Sequence, residues 1–327
     1  MSGATPWSDC RAGSKTRRSF PVVARADGTE VAMPMLVAQG GRPGKTLLVS
    51  AGIHGDEFEG MAALWRVFDE LDSTAMRGTL VAVPIVNSPA YEAGLRTNAD
   101  DRQDLARVFD GDPVGTVTEQ LAHTFAHQFI AHADLYCDLH SAGQYYAIEP
   151  LVGYGLVEGP TLAVQRAAAR LFGMDLVWGT VPLLGRSLSA ARTLGVPALY
   201  AEVNGAGACR EEDVARYQFG VLQLMRFLGI LSEPPEPFVP KEIVEDPREN
   251  SGSLQIQNRA PVGGFFLPRT RLGDAVEQNA VLGEILKPTG QSAYTVRSTT
   301  AGRVVFLRTF PRVKPGDPLL MVMQAPR

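Results

Sequence analysis

The sequence predicts an α/β fold built on a parallel or mixed sheet, with a small all-β unit after it. Three observations predict it. Short apolar runs alternate with segments of helical period from residue 46 to residue 231. A proline-rich stretch then breaks that texture. Beyond it the chain holds only short β-like runs separated by Gly, Pro and Asn.

Four runs rich in Val, Leu and Ala read as buried strands: Thr46 to Ala51, Thr79 to Val86, Asp134 to Asp138, and Ala198 to Val203. Between them, Glu57 to Leu71, Val117 to Ala131, Gly159 to Phe172 and Glu211 to Leu231 carry helical periodicity. In the first, Met61, Leu64, Trp65 and Phe68 fall on one stripe. Ser232 to Pro240 contains four prolines, a stiff and extended composition. It places the boundary between an α/β domain, residues 1–235, and a linker with a small β domain, residues 236–327.

Composition narrows the function. The 327 residues are 45% hydrophobic and 20% charged, as expected of a globular chain able to bury a large core. A net charge of −4 argues against a nucleic-acid surface. No apolar run approaches the roughly 18 residues of a membrane span, and Met1 to Arg18 lacks the apolar stretch of a signal peptide. Cys10, Cys137 and Cys209 are few and far apart, so no disulfide framework is expected and a reducing, cytoplasmic setting fits. A homo-oligomer is compatible with the sequence.

Reactive side chains in α/β sheets gather where strands end. Three ends here carry groups suited to one metal. The run TLLVSAGIHGDEFEG delivers His54 and Glu57 at a strand-to-helix turn, with Gly52 and Gly55 letting the backbone bend. The run ADLYCDLHSAG delivers His140, with Asp138 placed to accept the other ring N–H of a ligand histidine. Two histidines and one glutamate leave a fourth position open, the pattern of a catalytic zinc site holding one ion. In VPALYAEVNG an apolar strand ends on Glu202, which suits a general base acting on water whose pKa a metal lowers to about 7.

These words resemble the succinylglutamate desuccinylase/aspartoacylase family, a branch of the zinc-carboxypeptidase-like fold. The resemblance rests on GIHGDE at 52–57, DLH at 138–140, the strand-end Glu202, and the stretch 87–111. That stretch keeps Asn87, Pro89, Ala90, Gly94, Arg96, Asp104, Leu105, Arg107, Phe109 and Gly111. The resemblance implies a mixed sheet flanked by helices, zinc on His54, Glu57 and His140, Glu202 as base, and Arg107, Arg96 and Asn87 around a small substrate carrying a carboxylate. Arg96 or Arg107 would also polarise the acyl carbonyl. It implies hydrolysis of the amide of a small N-acyl amino acid. Where related sequences carry Asn before the arginine, this chain has Ala106, so one directional contact to substrate is missing. The tail resembles the barrel-sandwich module of carrier domains, but Lys287 lacks a carrier-lysine setting, so a structural or lid role is expected.

Other features carry a plainer reading. His123 and His127 stand four apart in HTFAH, without the glutamate of a metalloprotease helix, and read as a helix face. Tyr145 and Tyr146 read as packed aromatics. Asp56 reads as orienting a ligand or capping the next helix. The same metal chemistry would serve a carboxypeptidase or an esterase, and a non-catalytic metal- or ligand-binding relative would keep the fold without needing Glu202.

Overall fold

The computed structural model describes residues 4–25 and 27–324. A nine-stranded mixed sheet forms its centre. The strands are β1 (Ser14–Ala24), β2 (Glu30–Gln39), β3 (Arg42–Ser50), β4 (Arg77–Val83), β5 (Leu135–Ser141), β7 (Leu151–Gly155), β8 (Leu176–Thr180), β9 (Ala198–Val203) and β10 (Glu242–Asp246); the short β6 (Tyr146–Ile148) lies outside it. Their order is β1-β2-β4-β3-β5-β9-β7-β8-β10. The central strands β4, β3, β5 and β9 run parallel, whereas β7 turns antiparallel to β9.

The helices are α1 (Glu59–Glu70), α2 (Ser88–Ala93), α3 (Val117–Thr124), α4 (Pro160–Leu171), α5 (Ser187–Thr193) and α6 (Glu211–Phe227). One core, on the α1/α4/α6 side, contains Leu64, Phe68, Leu139, Phe172 and Tyr217; the other contains Val37, Leu105, Phe125, Phe129 and Tyr136. The strands feed both cores by their period of two. On β5, Leu135, Cys137 and Leu139 face the first core, and Tyr136 faces the second.

All four expected strands are present, and all four expected helices. Two details differ. On α1, Trp65 is 39% exposed and Val67 is buried in its place, because the stripe centres on Met61, Leu64 and Phe68. The run expected as one helix from Val117 starts on a Thr116–Glu119 capping box, then widens at Phe125–Phe129 and tightens at Ile130–His132.

Beyond the prolines, β10 returns to the large sheet and pairs parallel with β8. The expected boundary at residue 235 therefore has a strand of the first sheet beyond it. Two antiparallel sheets follow, formed by β11 (Gly264–Pro268), β12 (Ala275–Val276), β13 (Val281–Leu286), β14 (Ser292–Arg297), β15 (Gly302–Arg308), β16 (Arg312–Val313) and β17 (Leu320–Met323). They close on a core that includes Phe266, Leu282, Ile285, Val304 and Leu320. β6 pairs with β15, which ties this unit to the first.

α1 is seated by Gly60. A Cβ there would stand 2.8 Å from Leu139 Cβ and 2.9 Å from Ala51 Cβ. Gly60→Ala should therefore overpack the helix against β5 and cost about 1–3 kcal/mol. Urea unfolding measures it; an unchanged midpoint would show that the helix can shift freely.

Candidate active site

Three strand ends meet at one point. β3 runs into a turn at Gly52 and Gly55 that delivers His54 and Glu57 just before α1. Gly55 has no room for a side chain, since a Cβ would fall 2.0 Å from the Ala90 carbonyl carbon at α2. β5 ends with His140. β9 lies parallel beside it, and Glu202 is in register with His140.

His54, Glu57 and His140 each offer a ligand atom, all within 4.8 Å of one another. His54 Nδ1 lies 2.7 Å from Glu57 Oε1, and His140 Nδ1 lies 2.9 Å from Glu57 Oε2. The far ring nitrogens also face carboxylates: His54 Nε2 to Asp104 Oδ1 at 3.1 Å, and His140 Nε2 to Asp138 Oδ2 at 3.1 Å. A neutral imidazole that donates its Nε2–H to those carboxylates turns a bare Nδ1 lone pair toward Glu57, itself only an acceptor. Acceptor then faces acceptor twice, and a cation between them resolves the conflict. Mixed nitrogen and oxygen donors of this kind suit zinc.

The charges express the same demand. Burial alone would raise the Glu57 carboxyl, but the two imidazoles hold it well below the usual carboxylate range. Burial alone would lower His140, but Asp138 and Glu57 push it well up. Positive charge is favoured between these atoms whether protons or a metal supply it.

Supporting residues fix the rings. Asp138 is fully buried and accepts from Ser50 Oγ at 2.6 Å and from Ser187 Oγ. Tyr217 on α6 donates its hydroxyl to the His140 carbonyl. Asp104 binds His54, accepts Arg96 Nε at 3.2 Å and accepts the Ala106 N–H at 3.0 Å. Asp56 does not cap α1; its carboxylate accepts the Gln144 N–H at 3.1 Å and braces the turn after β5.

A cavity of about 480 Å³ opens at the cluster, lined among others by Arg96, Arg107, Ala106, Arg186 and Glu202. Burial pushes the Glu202 carboxyl up to about 8, although His140 opposes it. Arg107 and Arg186 are both lowered, first by burial and then by neighbouring guanidiniums, Arg186 to about 10. Of the residues expected from sequence, Asn87 is not brought to the cavity. It is fully buried, accepts the Ala90 N–H as the cap of α2, and donates to the Ile53 carbonyl at 3.3 Å. It shapes the turn that carries His54 rather than touching substrate. Tyr145 packs on Phe310 and Tyr146 stacks on Phe306. His123 and His127 lie on α3 and the turn after it, 4.4 Å apart between ring centroids, and line no part of this cavity.

Sequence reasoning named Asp104 only as part of the stretch 87–111, without a role, and missed Arg186. Asp104 stands three residues before Arg107, a spacing that brings an acid and a base together on one turn and that could have singled it out. Arg186 is the N-cap of α5, a position whose sequence pattern marks a helix start rather than a binding role.

Residues 43–228 match the succinylglutamate desuccinylase/aspartoacylase catalytic domain. The chain is 30% identical over 306 residues to N-alpha-acetyl-L-2,4-diaminobutyric acid deacetylase of Halomonas elongata, covering 90% of this chain and 86% of that one. It resembles the product-bound ectoine utilization protein EutE of Ruegeria pomeroyi, with a TM-score of 0.84, 28% identity and 95% of each chain covered. It also resembles a succinylglutamate desuccinylase/aspartoacylase from Rhodobacter sphaeroides, with a TM-score of 0.85, 25% identity and 97% of each chain covered.

Asp138 should govern how tightly the cluster holds metal. Asp138→Asn removes the negative charge behind His140 and turns one of two acceptor oxygens into a donor, and should weaken zinc binding about 10- to 100-fold in competition with a chromophoric chelator. His140→Ala, which removes a ligand, should weaken it further. Equal affinity in both variants and the unaltered protein would show that zinc is held elsewhere.

Proposed function

Since the chain belongs to the succinylglutamate desuccinylase/aspartoacylase family, we propose that it is a zinc-dependent deacylase that hydrolyses the amide of a small N-acyl amino acid. The observation that carries this is Glu202 beside the His54–Glu57–His140 cluster, in a cavity walled by guanidiniums. A zinc ion held by those three residues would polarise the acyl carbonyl and make water a stronger acid.

The remaining steps fall to the chain's own groups. Glu202 takes a proton from the attacking water and returns it to the leaving amine. Burial raises its carboxyl, and a cation held beside it would favour the ionised form that accepts the proton. Arg96 is placed by Asp104 and lies 3.5 Å from Glu57 Oε1, close enough to the cluster to stabilise the developing oxyanion. Arg107 and Arg186 hold the substrate carboxylate. Both are weakened by burial and by like charge, and an anion between them relieves that cost. Water attacks most readily once this clamp has fixed the acyl group.

A carboxypeptidase or esterase would use the same groups. The deacetylase named for the Halomonas elongata relative favours the amide of an acyl amino acid. A site kept only for binding would have no use for a half-buried carboxyl at Glu202, set in register beside His140.

Glu202→Gln should retain zinc and lose about 10²- to 10⁴-fold in kcat on N-acetyl amino acids, with zinc content measured alongside turnover. Unaltered turnover would remove Glu202 from the mechanism. Arg186→Met should raise KM about tenfold to a hundredfold with little change in kcat; a KM that stays put would assign the carboxylate to other residues.

A further inference from the structure

We infer that the far end of the cavity is a subsite for a bulky apolar group of the substrate, an alkyl or aromatic moiety on either the acyl part or the amino-acid side chain. The inference rests on the deacylase reading and deepens it.

The cavity does not stop at the metal-ligand cluster. It runs over the face of the large sheet, past Tyr200, to Tyr154, Val157 and Pro182 at the other end of β7 and β8. Its volume of about 480 Å³ falls in the range of roughly 300–1,000 Å³ that encloses drug-sized ligands. An N-acetyl amino acid has only about a dozen non-hydrogen atoms, so it is much smaller than the ligands such pockets enclose.

The walls of this far part carry the apolar side chains of Val157, Val181, Pro182, Leu183 and Leu254, interspersed with Thr161, Thr180 and Ser253. Its floor is the Tyr200 ring, which lies across β7 at Gly153; a Cβ there would stand 2.2 Å from the ring. Leu254, from the segment after β10, covers it from above. Two of its larger polar side chains are already engaged. Tyr154 donates its hydroxyl to Glu245 Oε1 at 2.7 Å. Gln165 donates to the Gly155 carbonyl and accepts the Ala198 N–H, each at 3.1 Å. The two further lining arginines, Arg192 and Arg259, are exposed.

Charge disfavours a cationic side chain there. Among the described residues, the carboxylates lining the cavity are Glu57, Asp104 and Glu202. Glu57 faces both imidazoles, Asp104 is taken by His54 and Arg96, and Glu202 lies beside His140. None stands in the far part to receive an ammonium, and a cation buried there would go unpaired. A side-chain amine such as that of diaminobutyrate is therefore a poor fit, whereas transfer of methylenes from water to these walls is favourable.

Two substrate series test the subsite on the zinc-loaded full chain. One varies the acyl group on L-alanine (acetyl, butanoyl, hexanoyl, benzoyl). The other varies the side chain of N-acetyl amino acids (alanine, leucine, phenylalanine, 2,4-diaminobutyrate). One series should show kcat/KM rising about threefold per added methylene, to tenfold or more over N-acetyl-L-alanine; which one rises identifies the part of the substrate that fills the subsite. Val157→Trp, and independently Leu254→Trp, should lower the ratio of kcat/KM for the bulky over the acetyl-alanine substrate at least tenfold. Flat or falling trends in both series, or N-acetyl-diaminobutyrate as the best substrate, would overturn the inference and leave the deacylase reading standing. No hydrolysis of any member would overturn both.

Discussion

The carboxylate of Glu57, clasped between two imidazoles, is the interaction on which the site depends. Each ring is also held from behind by a carboxylate, His54 by Asp104 and His140 by Asp138. The result is a cluster in which acids outnumber bases and lone pairs face one another, a state stable only with positive charge at its centre. The surrounding elements hold those atoms in place. Ser50 on β3 and Ser187 at the start of α5 anchor Asp138, Tyr217 on α6 anchors the backbone of His140, and Asn87 fixes the turn beside His54. Five elements from distant parts of the chain thus converge on two rings and one carboxylate.

Much of this was legible because it follows period and strand ends. In YCDLH, Tyr136, Asp138 and His140 alternate with apolar Cys137 and Leu139, so the same two-residue period that buries one face brings Asp138 and His140 together on the other. In ALYAE it aligns Tyr200 with Glu202. His54 and Glu57 follow a strand and precede a helix, and the glycines around them mark the bend. What was not legible lay mostly in segments without period. The N-terminal strand β1 carries charged residues along much of its length and buries no residue fully, whereas β2 does carry a period-two face, Val31, Met33, Met35 and Val37, that the sequence reading passed over. β10 follows four prolines, and only the sheet edge offered by β8 makes it a strand. Asn87 was misassigned because a motif position says nothing about which way a buried amide points; the cap of α2 claims its oxygen and the Ile53 carbonyl its amine.

The tail does more than follow the first domain. Strand β6, between the His140 turn and β7, is completed by β15, and Phe306 of β15 reaches the cavity wall. The segment after β10 adds Gly252 to Ile256 to the same wall, with Gly252 close-packed on Thr180. A chain ending near residue 235 would leave this side of the cavity open to water, and the guanidiniums inside would be screened rather than desolvated. The electrostatic grip on an anion therefore depends on residues that carry no catalytic group.

Arginine content and the small residue at 106 belong to one design. Arg96, Arg107 and Arg186 crowd one side of the cluster, and Asp104 is the acid among them, shared with His54. Like charges at this density in a partly dry cavity are costly; Arg107 and Arg186 are lowered first by burial and further by neighbouring guanidiniums, with Asp104 opposing. An asparagine at 106 would contribute a directional hydrogen bond but no charge. Ala106, which lines the cavity and is 5% exposed, gives up that bond and leaves its volume free. On the proposed reading, recognition would then shift from an amide that reads the shape of one functional group to guanidiniums that need only a negative charge within reach. On the proposed reading, a site organised that way would constrain where the substrate's carboxylate lies and tolerate what else the substrate carries, a freedom that the extended chamber beside it can exploit.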